Sequence, residues 1–373
     1  MEALKVVLAL ANWRMGGQLS GLLALREQLQ RAGIAVDIVP KDCLADKRSV
    51  EVLARGSLIA RMMDFSLSLL RINGMETVLH LVVPSPAFSW MAALAGVPTR
   101  HVLVQYEGPC IGARQVEVRE LIQDLQFLFP RVVLNAPFLS WPGRYLSCTH
   151  LATYPALGEQ LRQLGFKQIE VIGNLSRLGE EDWGKEFECS AIAPELRRIG
   201  YIGHGHPVKG VADLVYAFSL AAQRCPDLRL CLALSGERDS RPIVRLVERL
   251  GIAKLVDVKG VVPVASFLER IDALVLPYRS AWTTTMYPSL MLEAERARCP
   301  MIISSLPEFA EVLKVNSSSL RLVEPRNVEG LAAALEAVRK RCALEFQPYL
   351  SVQPDSVIVD RIVQLYRRIL AAG

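Results

Sequence analysis

The sequence predicts an α/β protein of two domains, each a parallel sheet wound with helices on both faces. Three observations carry this reading. At 373 residues the chain is about twice the usual length of one domain. Short β-branched runs alternate with longer amphipathic segments, the pattern of βαβ units. The alternation breaks once, around residues 173–198, and then starts afresh.

Residues 4–10 (LKVVLAL) form a continuous apolar run, as expected of a parallel strand buried on both faces. Gly16 and Gly17 follow, and Leu19, Leu22, Leu23, Leu25 and Leu29 then recur at helical spacing. Further strands are read at 34–39, 77–83, 100–105, 145–149 and 168–172. Residues 179–188 (GEEDWGKEFE) are acidic and aperiodic and read as linker. The second series has strands at 198–203, 228–234, 255–259, 273–277, 300–304 and 319–323. Helices are read at 211–223, 288–298 and 328–343. A last helix at 356–370 puts Ile358, Ile362, Leu365, Tyr366 and Ile369 on one face. The expected domains are therefore 1–174 and 198–354, with a linker at 175–197. Residues 355–373 are expected to form a helix that packs back on the first domain. The carboxyl ends of the two sheets are expected to face one cleft, where loops and helix N-termini converge on ligands.

Composition narrows the function. Apolar residues make up 51% and charged residues 22%, which excludes a mainly disordered chain. The net charge of +5, from 43 basic and 38 acidic residues without a long basic run, does not suit a nucleic-acid partner. An anionic small molecule or a lipid surface fits better. The 8 cysteines are scattered, with no CxxC pair, and read as reduced thiols. The N-terminus lacks the pattern of a secretory signal, and no apolar run reaches ~18 residues. A cytoplasmic protein is expected, with peripheral contact at the inner face of the membrane as an option. Residues 48–71 carry that option, because the stretch is apolar, mildly basic and helix-like. Their plainer reading is a helix packed on its sheet, arginines outward.

Three loops after strands carry candidate chemistry. Residues 203–210 (GHGHPVKG) leave a strand and enter a helix. Their glycines allow close backbone approach, while Lys209 and the helix N-terminus supply positive potential for phosphate. A plain turn with His204 and His206 exposed, and a metal pair formed by the same histidines, are the alternatives. The spacing is not that of a Walker loop. The second loop, 278–288, runs into a helix expected to start near Tyr287 or Pro288. Thr283, Thr284 and Thr285 place hydroxyls at that helix start, and Glu293 falls in its second turn. On its own, Glu293 reads as a solvated helix carboxylate. The third site pairs residues 12–17, with Asn12, Trp13 and Arg14, against 105–109, with Tyr106 and Glu107. Adjacent loops of this kind could hold a hydroxylated or anionic substrate, or Trp13 and Tyr106 could simply cap the sheet. His80, His101 and His150 read as structural histidines.

Taken together, these stretches resemble a GT-B glycosyltransferase, most closely the large retaining glycosyltransferase family 4. The resemblance is densest over 198–313. Residues 201–210 are similar to that family's strand, phosphate loop and helix start, and 228–236 to its next strand and glycine loop. Residues 258–263 (VKGVVP) are similar to its base-binding loop, with Val261 at the base and Gly236 near the donor. Residues 288–294 (PSLMLEA) are similar to the helix bearing the second Glu of an E-x7-E motif. The resemblance implies two Rossmann-like domains facing across a cleft, a nucleotide sugar held by the second and an acceptor by the first.

Lys209 and His204 would then contact the donor diphosphate, Glu293 the ribose hydroxyls, and Tyr287, Pro288 and Thr285 the sugar and phosphate. Gly16 and Gly17 would approach the phosphates, while Asn12, Trp13, Arg14 and Tyr106 would hold the acceptor. Glu107 stands where the family often carries a histidine, and Glu107 and Thr285 are the catalytic candidates. No cofactor and no metal are implied. The expected partners are a nucleotide sugar and a sugar-containing or lipid-linked acceptor. Two departures stand out. His204 replaces the usual Arg, and Thr285 occupies the place of the first Glu of E-x7-E, with no carboxylate between 278 and 292. The function expected is therefore retaining glycosyl transfer without a metal. The alternatives are a degenerate subunit that binds a nucleotide sugar or partner protein without turnover, and a nucleotide-sugar epimerase.

Overall fold

The computed structural model describes residues 4–10, 17–39, 77–83, 101–106, 147–175, 197–235, 237–280, 289–338, 346–351 and 353–372. The described residues of 4–175 together with 353–372 form one compact unit, and those of 197–280 and 290–351 form another.

The first unit contains β1 (Lys5–Leu10), α1 (Gly17–Arg31), β2 (Ala35–Val39), β3 (Thr77–Val83), β4 (Val102–Tyr106), β5 (Thr149–Ala152), α2 (Pro155–Gln163) and β6 (Ile169–Val171). Its six strands are all parallel, in the order β2-β1-β3-β4-β5-β6. Every residue of β3 and β4 is buried, because parallel sheets of this kind are covered on both faces. The chain's last helix, α8 (Asp355–Ala371), covers one of those faces beside α1. Its Ile358, Val359, Ile362, Leu365 and Tyr366 share a core with Val6, Leu8, Val78, Val82 and Leu103.

Polar groups inside this sheet are closed off by hydrogen bonds. His80 lies on the α8 face of β3, between Val78 and Val82. Its Nδ1 is 2.6 Å from the Tyr366 hydroxyl and its Nε2 is 2.9 Å from Gln105 Oε1. A neutral imidazole satisfies both, with Nε2–H donating to Gln105 and Nδ1 accepting from the tyrosine. On the opposite face, His150 Nδ1 meets the Tyr106 hydroxyl at 2.9 Å, and Phe166 packs edge-on against the imidazole at 4.9 Å. Burial holds both imidazoles down to a pKa of about 4.

Most strands fall where the sequence places them; β5 does not. The sequence reading places a strand at 145–149, yet β5 is Thr149–Ala152. Its register against β4 and β6, His150 opposite Val104 and Ile169, is set by pairing rather than by local apolar content. The loops after β1 and β4, expected to lie side by side, fall almost wholly outside the described residues; β3 stands between their strands in the sheet.

The second unit runs β7 (Arg197–His204), a 3₁₀ turn (Pro207–Lys209), α3 (Val211–Arg224), β8 (Leu228–Ser235), α4 (Glu237–Arg249), β9 (Val256–Lys259), α5 (Val264–Leu268), β10 (Ala273–Leu276), α6 (Ser289–Arg296), β11 (Met301–Ser304), β12 (Leu320–Val323) and α7 (Val328–Val338). Its six parallel strands follow the order β12-β11-β10-β7-β8-β9. Val211, Leu214, Val215 and Phe218 of α3 and Leu331 and Leu335 of α7 share a core with Ile199, Leu230 and Leu232 of the sheet. The chain starts this sheet in the middle, builds outward through β8 and β9, then returns to add β10, β11 and β12 on the other side. The order therefore reverses between β7 and β10. Ligands of open α/β sheets bind outside the carboxyl ends of the strands at such a reversal.

The buried histidines predict how stability responds to pH. The folded state keeps both neutral down to about pH 4, whereas the unfolded chain protonates them near their ordinary 6.5. Unfolding thus takes up protons within that window. Stability is complete above about pH 6.5 and falls on acidification toward pH 4, by at most about 3 kcal/mol per histidine. Urea midpoints at pH 7.5 and 4.5 measure the loss, and His80→Gln should make it smaller. An unchanged pH dependence in that variant would contradict the assignment.

Candidate donor-phosphate site

The residues joining β7 to α3 and those leaving β10 meet at the reversal. β7 ends at His204, and the loop is held from its start, because the buried Tyr201 hydroxyl donates to the His204 carbonyl oxygen at 2.7 Å. The His204 ring is exposed, and its Nδ1 lies 3.2 Å from the Ser235 carbonyl oxygen at the end of the neighbouring strand. The 3₁₀ turn at 207–209 is closed by Lys209 N–H and Gly210 N–H donating to the carbonyls of His206 and Pro207. Gly210 then adopts a φ of 69°, and α3 begins. A Cβ at this position would stand 1.7 Å from the Pro277 carbonyl oxygen. Only glycine allows both the left-handed backbone and this approach of α3 to the end of β10.

Two consecutive residues after β10 grip the same loop. The Tyr278 ring is buried, and Lys209 Nζ sits 4.4 Å from its centroid, within cation–π range. The Arg279 backbone N–H donates to the Val208 carbonyl oxygen at 2.9 Å. Its guanidinium makes a two-pronged bond to Asp213, Nε to Oδ2 and Nη2 to Oδ1, each 2.7 Å. The two side chains are only 22% and 11% exposed, so the fork is partly withdrawn from water. Asp213 lies in the first turn of α3, where a carboxylate complements the helix dipole. The same turn has amides without intrahelical acceptors, which suit an anion.

Glu293 is fully buried in α6, not solvated as its sequence context alone suggested. His206 is likewise buried at 8% exposure, so the reading of an exposed histidine pair fails for it. Among the described residues, no group of three or more metal-ligating side chains gathers in one place. Glu295, two residues beyond Glu293, points elsewhere and accepts from the Leu350 N–H at 2.9 Å.

Of the other residues singled out in the sequence, Val261 follows β9 and is 80% exposed. Gly17 opens α1. Tyr106 lies inside the first sheet, fully buried with its hydroxyl against His150. Asn12, Trp13, Arg14, Gly16, Glu107, Gly236, Thr285, Tyr287 and Pro288 lie outside the described residues, as do the linker at 176–196 and the stretch 48–71. The structure thus brings together Lys209, His204 and the start of α3, and adds Tyr278, Arg279 and Asp213. Sequence reasoning assigned no role to those three. The one signal was a carboxylate in the first turn of an otherwise apolar helix, and nothing local links it to an arginine 66 residues on.

These features define a protein of two Rossmann-like units with an anion-compatible loop at the strand reversal of the second, the architecture of the GT-B fold. Residues 196–340 match the family described as Glycosyl transferases group 1, a span that holds this loop, Arg279 and Glu293. Solved structures similar to the chain include the catalytic domain of Starch Synthase IV from Arabidopsis thaliana bound to ADP and acarbose. Its TM-score is 0.62 at 13% identity, covering 99% of this chain and 100% of that one. A glycosyltransferase from Rickettsia africae gives 0.59 at 14% identity, covering 100% of both chains. HepE from Anabaena, in complex with UDP-glucose, gives 0.58 at 14%, covering 99% of this chain and 100% of that one. At such identities the likeness is one of fold. No curated protein sequence matches the chain.

Gly210→Ala tests the junction directly. The added methyl must displace the Pro277 carbonyl and hold a left-handed backbone, at a combined cost of about 3 kcal/mol or more. Chemical denaturation should report that loss, and a variant as stable as the parent would contradict the geometry.

Proposed function

We propose that the chain is a glycosyltransferase that moves a sugar from a nucleotide-sugar donor to a carbohydrate, lipid-linked or natural-product acceptor. The observation that carries this reading is the junction of the two loops at the β7–β10 reversal. It holds a lysine ammonium, a histidine and a helix N-terminus in one place, within the span that matches Glycosyl transferases group 1. The nucleotides and sugar nucleotide bound by HepE and Starch Synthase IV support a donor of the same kind here.

In this reading the carboxyl end of the second sheet takes the donor. Breaking the bond between sugar and diphosphate develops negative charge on the leaving phosphates. Lys209 and the amides at the start of α3 stabilise that charge and need no reorganisation to do so, which is where most of the acceleration arises. This supply of positive potential by the chain itself is the basis for proposing transfer without a metal. Glu293 would accept hydrogen bonds from the donor ribose. His204, exposed with its Nδ1 turned to Ser235, would add a hydrogen bond to the phosphates. Retention of configuration is part of the proposal and follows the family 4 resemblance. Glu107, Asn12, Trp13 and Arg14 remain the proposed acceptor side, and membrane contact through 48–71 remains the proposed route to a lipid-linked acceptor. Among the described residues, no helix is long and apolar enough to cross a membrane.

Thr285 favours one second reading. A hydroxyl in place of the family's first Glu suits a subunit that binds the donor but turns it over slowly or not at all.

A screen of UDP-, ADP- and GDP-sugars for slow hydrolysis and thermal protection tests the proposal. One donor should be hydrolysed, and Lys209→Ala should reduce that rate by about 10²–10³-fold, the usual loss for a group stabilising developing charge. Glu293→Gln should weaken protection by the same donor. Protection without hydrolysis, even with acceptors added, would favour the non-catalytic reading. Neither protection nor hydrolysis with any donor would overturn the donor site.

A further inference from the structure

We propose that Arg279 is a positioning residue that fixes Lys209 for the donor diphosphate. The inference rests on the donor-site reading above and goes beyond it, because Arg279 itself need touch no phosphate. Three contacts made by two consecutive residues carry it. The Arg279 N–H holds the Val208 carbonyl, its guanidinium grips both carboxylate oxygens of Asp213, and the adjoining Tyr278 ring lies under the Lys209 ammonium. The grip therefore reaches the residue just before Lys209 and the residue four after it. With Gly210 against the Pro277 carbonyl, the loop has no slack at either side of the lysine.

The chemistry explains why an arginine is suited to this place. A lysine side chain has four rotatable bonds and loses much freedom when held, so an unrestrained ammonium costs entropy at each binding event. Seating it on a buried ring, and locking that ring's backbone to the loop, places this cost in folding rather than in binding. A planar guanidinium matches a carboxylate at two points and fixes orientation as well as distance, which an ammonium cannot do. Arg279 also neutralises Asp213, a carboxylate in the helix turn that would receive the phosphates, where an uncompensated negative charge would repel them.

Positioning predicts a selective loss. Nucleoside diphosphates and the matching nucleosides (UDP with uridine, ADP with adenosine, GDP with guanosine) are titrated calorimetrically against the parent, Lys209→Ala, Arg279→Lys and the charge-neutral pair Asp213→Asn/Arg279→Met. Melting temperatures are recorded for each. Arg279→Lys keeps the charge but not the fork, and should weaken the diphosphate on the order of tenfold while leaving the nucleoside unchanged. The neutral pair should show the same selective loss, which separates geometry from charge balance and supplies a second test should one variant fold poorly. Equal loss of diphosphate and nucleoside would mean a merely structural role and overturn the inference. So would parent-like binding by Arg279→Lys, or recovery of binding in the neutral pair, while Lys209→Ala still loses the diphosphate. A parent that binds none of the three diphosphates would overturn the donor-site reading and this inference with it.

Discussion

A side chain at position 210 would run into the carbonyl of Pro277, and the organisation of the second unit follows from that closeness. β7 and β10 are hydrogen-bonded neighbours, yet the chain builds away from them in opposite directions. Their outgoing loops would otherwise diverge and leave an open crevice. Here they are drawn together. The left-handed glycine lets α3 start beside the end of β10, and the two residues after Pro277 then reach the loop before α3. At this junction the Lys209 ammonium lies over the Tyr278 ring and the His204 ring is exposed.

The two sheets use polar side chains in opposite ways. In the first, His80, Gln105, His150 and Tyr106 lie inside the layers, where His80 bonds to Gln105 and Tyr366, and His150 to Tyr106. His80 and Tyr366 are 286 residues apart, so the last helix is tied to the central strands by a bond as well as by its apolar face. These groups hold the unit together, and burial keeps the imidazoles neutral near neutral pH. In the second, Glu293 and His206 are buried too, but His204, Lys209 and Arg279 stand in the loops that leave β7 and β10, where the backbone offers amides and these side chains stay partly exposed. The difference is one of place in the fold, not of residue type.

That distinction marks how far the sequence could be read. Strands buried on both faces are long apolar runs, so β1, β3, β8, β10 and β11 were legible almost to the residue, and the interruption near 173–198 was legible as the break between series. β5 was not, because a four-residue strand carrying Thr and His is held by its neighbours and leaves little local signal. In the site, Lys209 and the glycines were legible because loop and helix start are contiguous in the chain. The burial of Glu293 and His206 was not, since a polar residue shows burial only through its surroundings. Arg279 and Asp213 were illegible for a simpler reason: their pairing exists only once β7 and β10 lie side by side.

In the proposed function the β7–β10 junction receives the donor phosphates. Hydrogen–deuterium exchange with and without a saturating UDP-, ADP- or GDP-sugar tests it most directly. Protection should concentrate at residues 203–213 and 277–280, with little change along the β11 and β12 ends of the same sheet. Protection at those far strand ends with none at 203–213, or no change with any of the three, would contradict the claim.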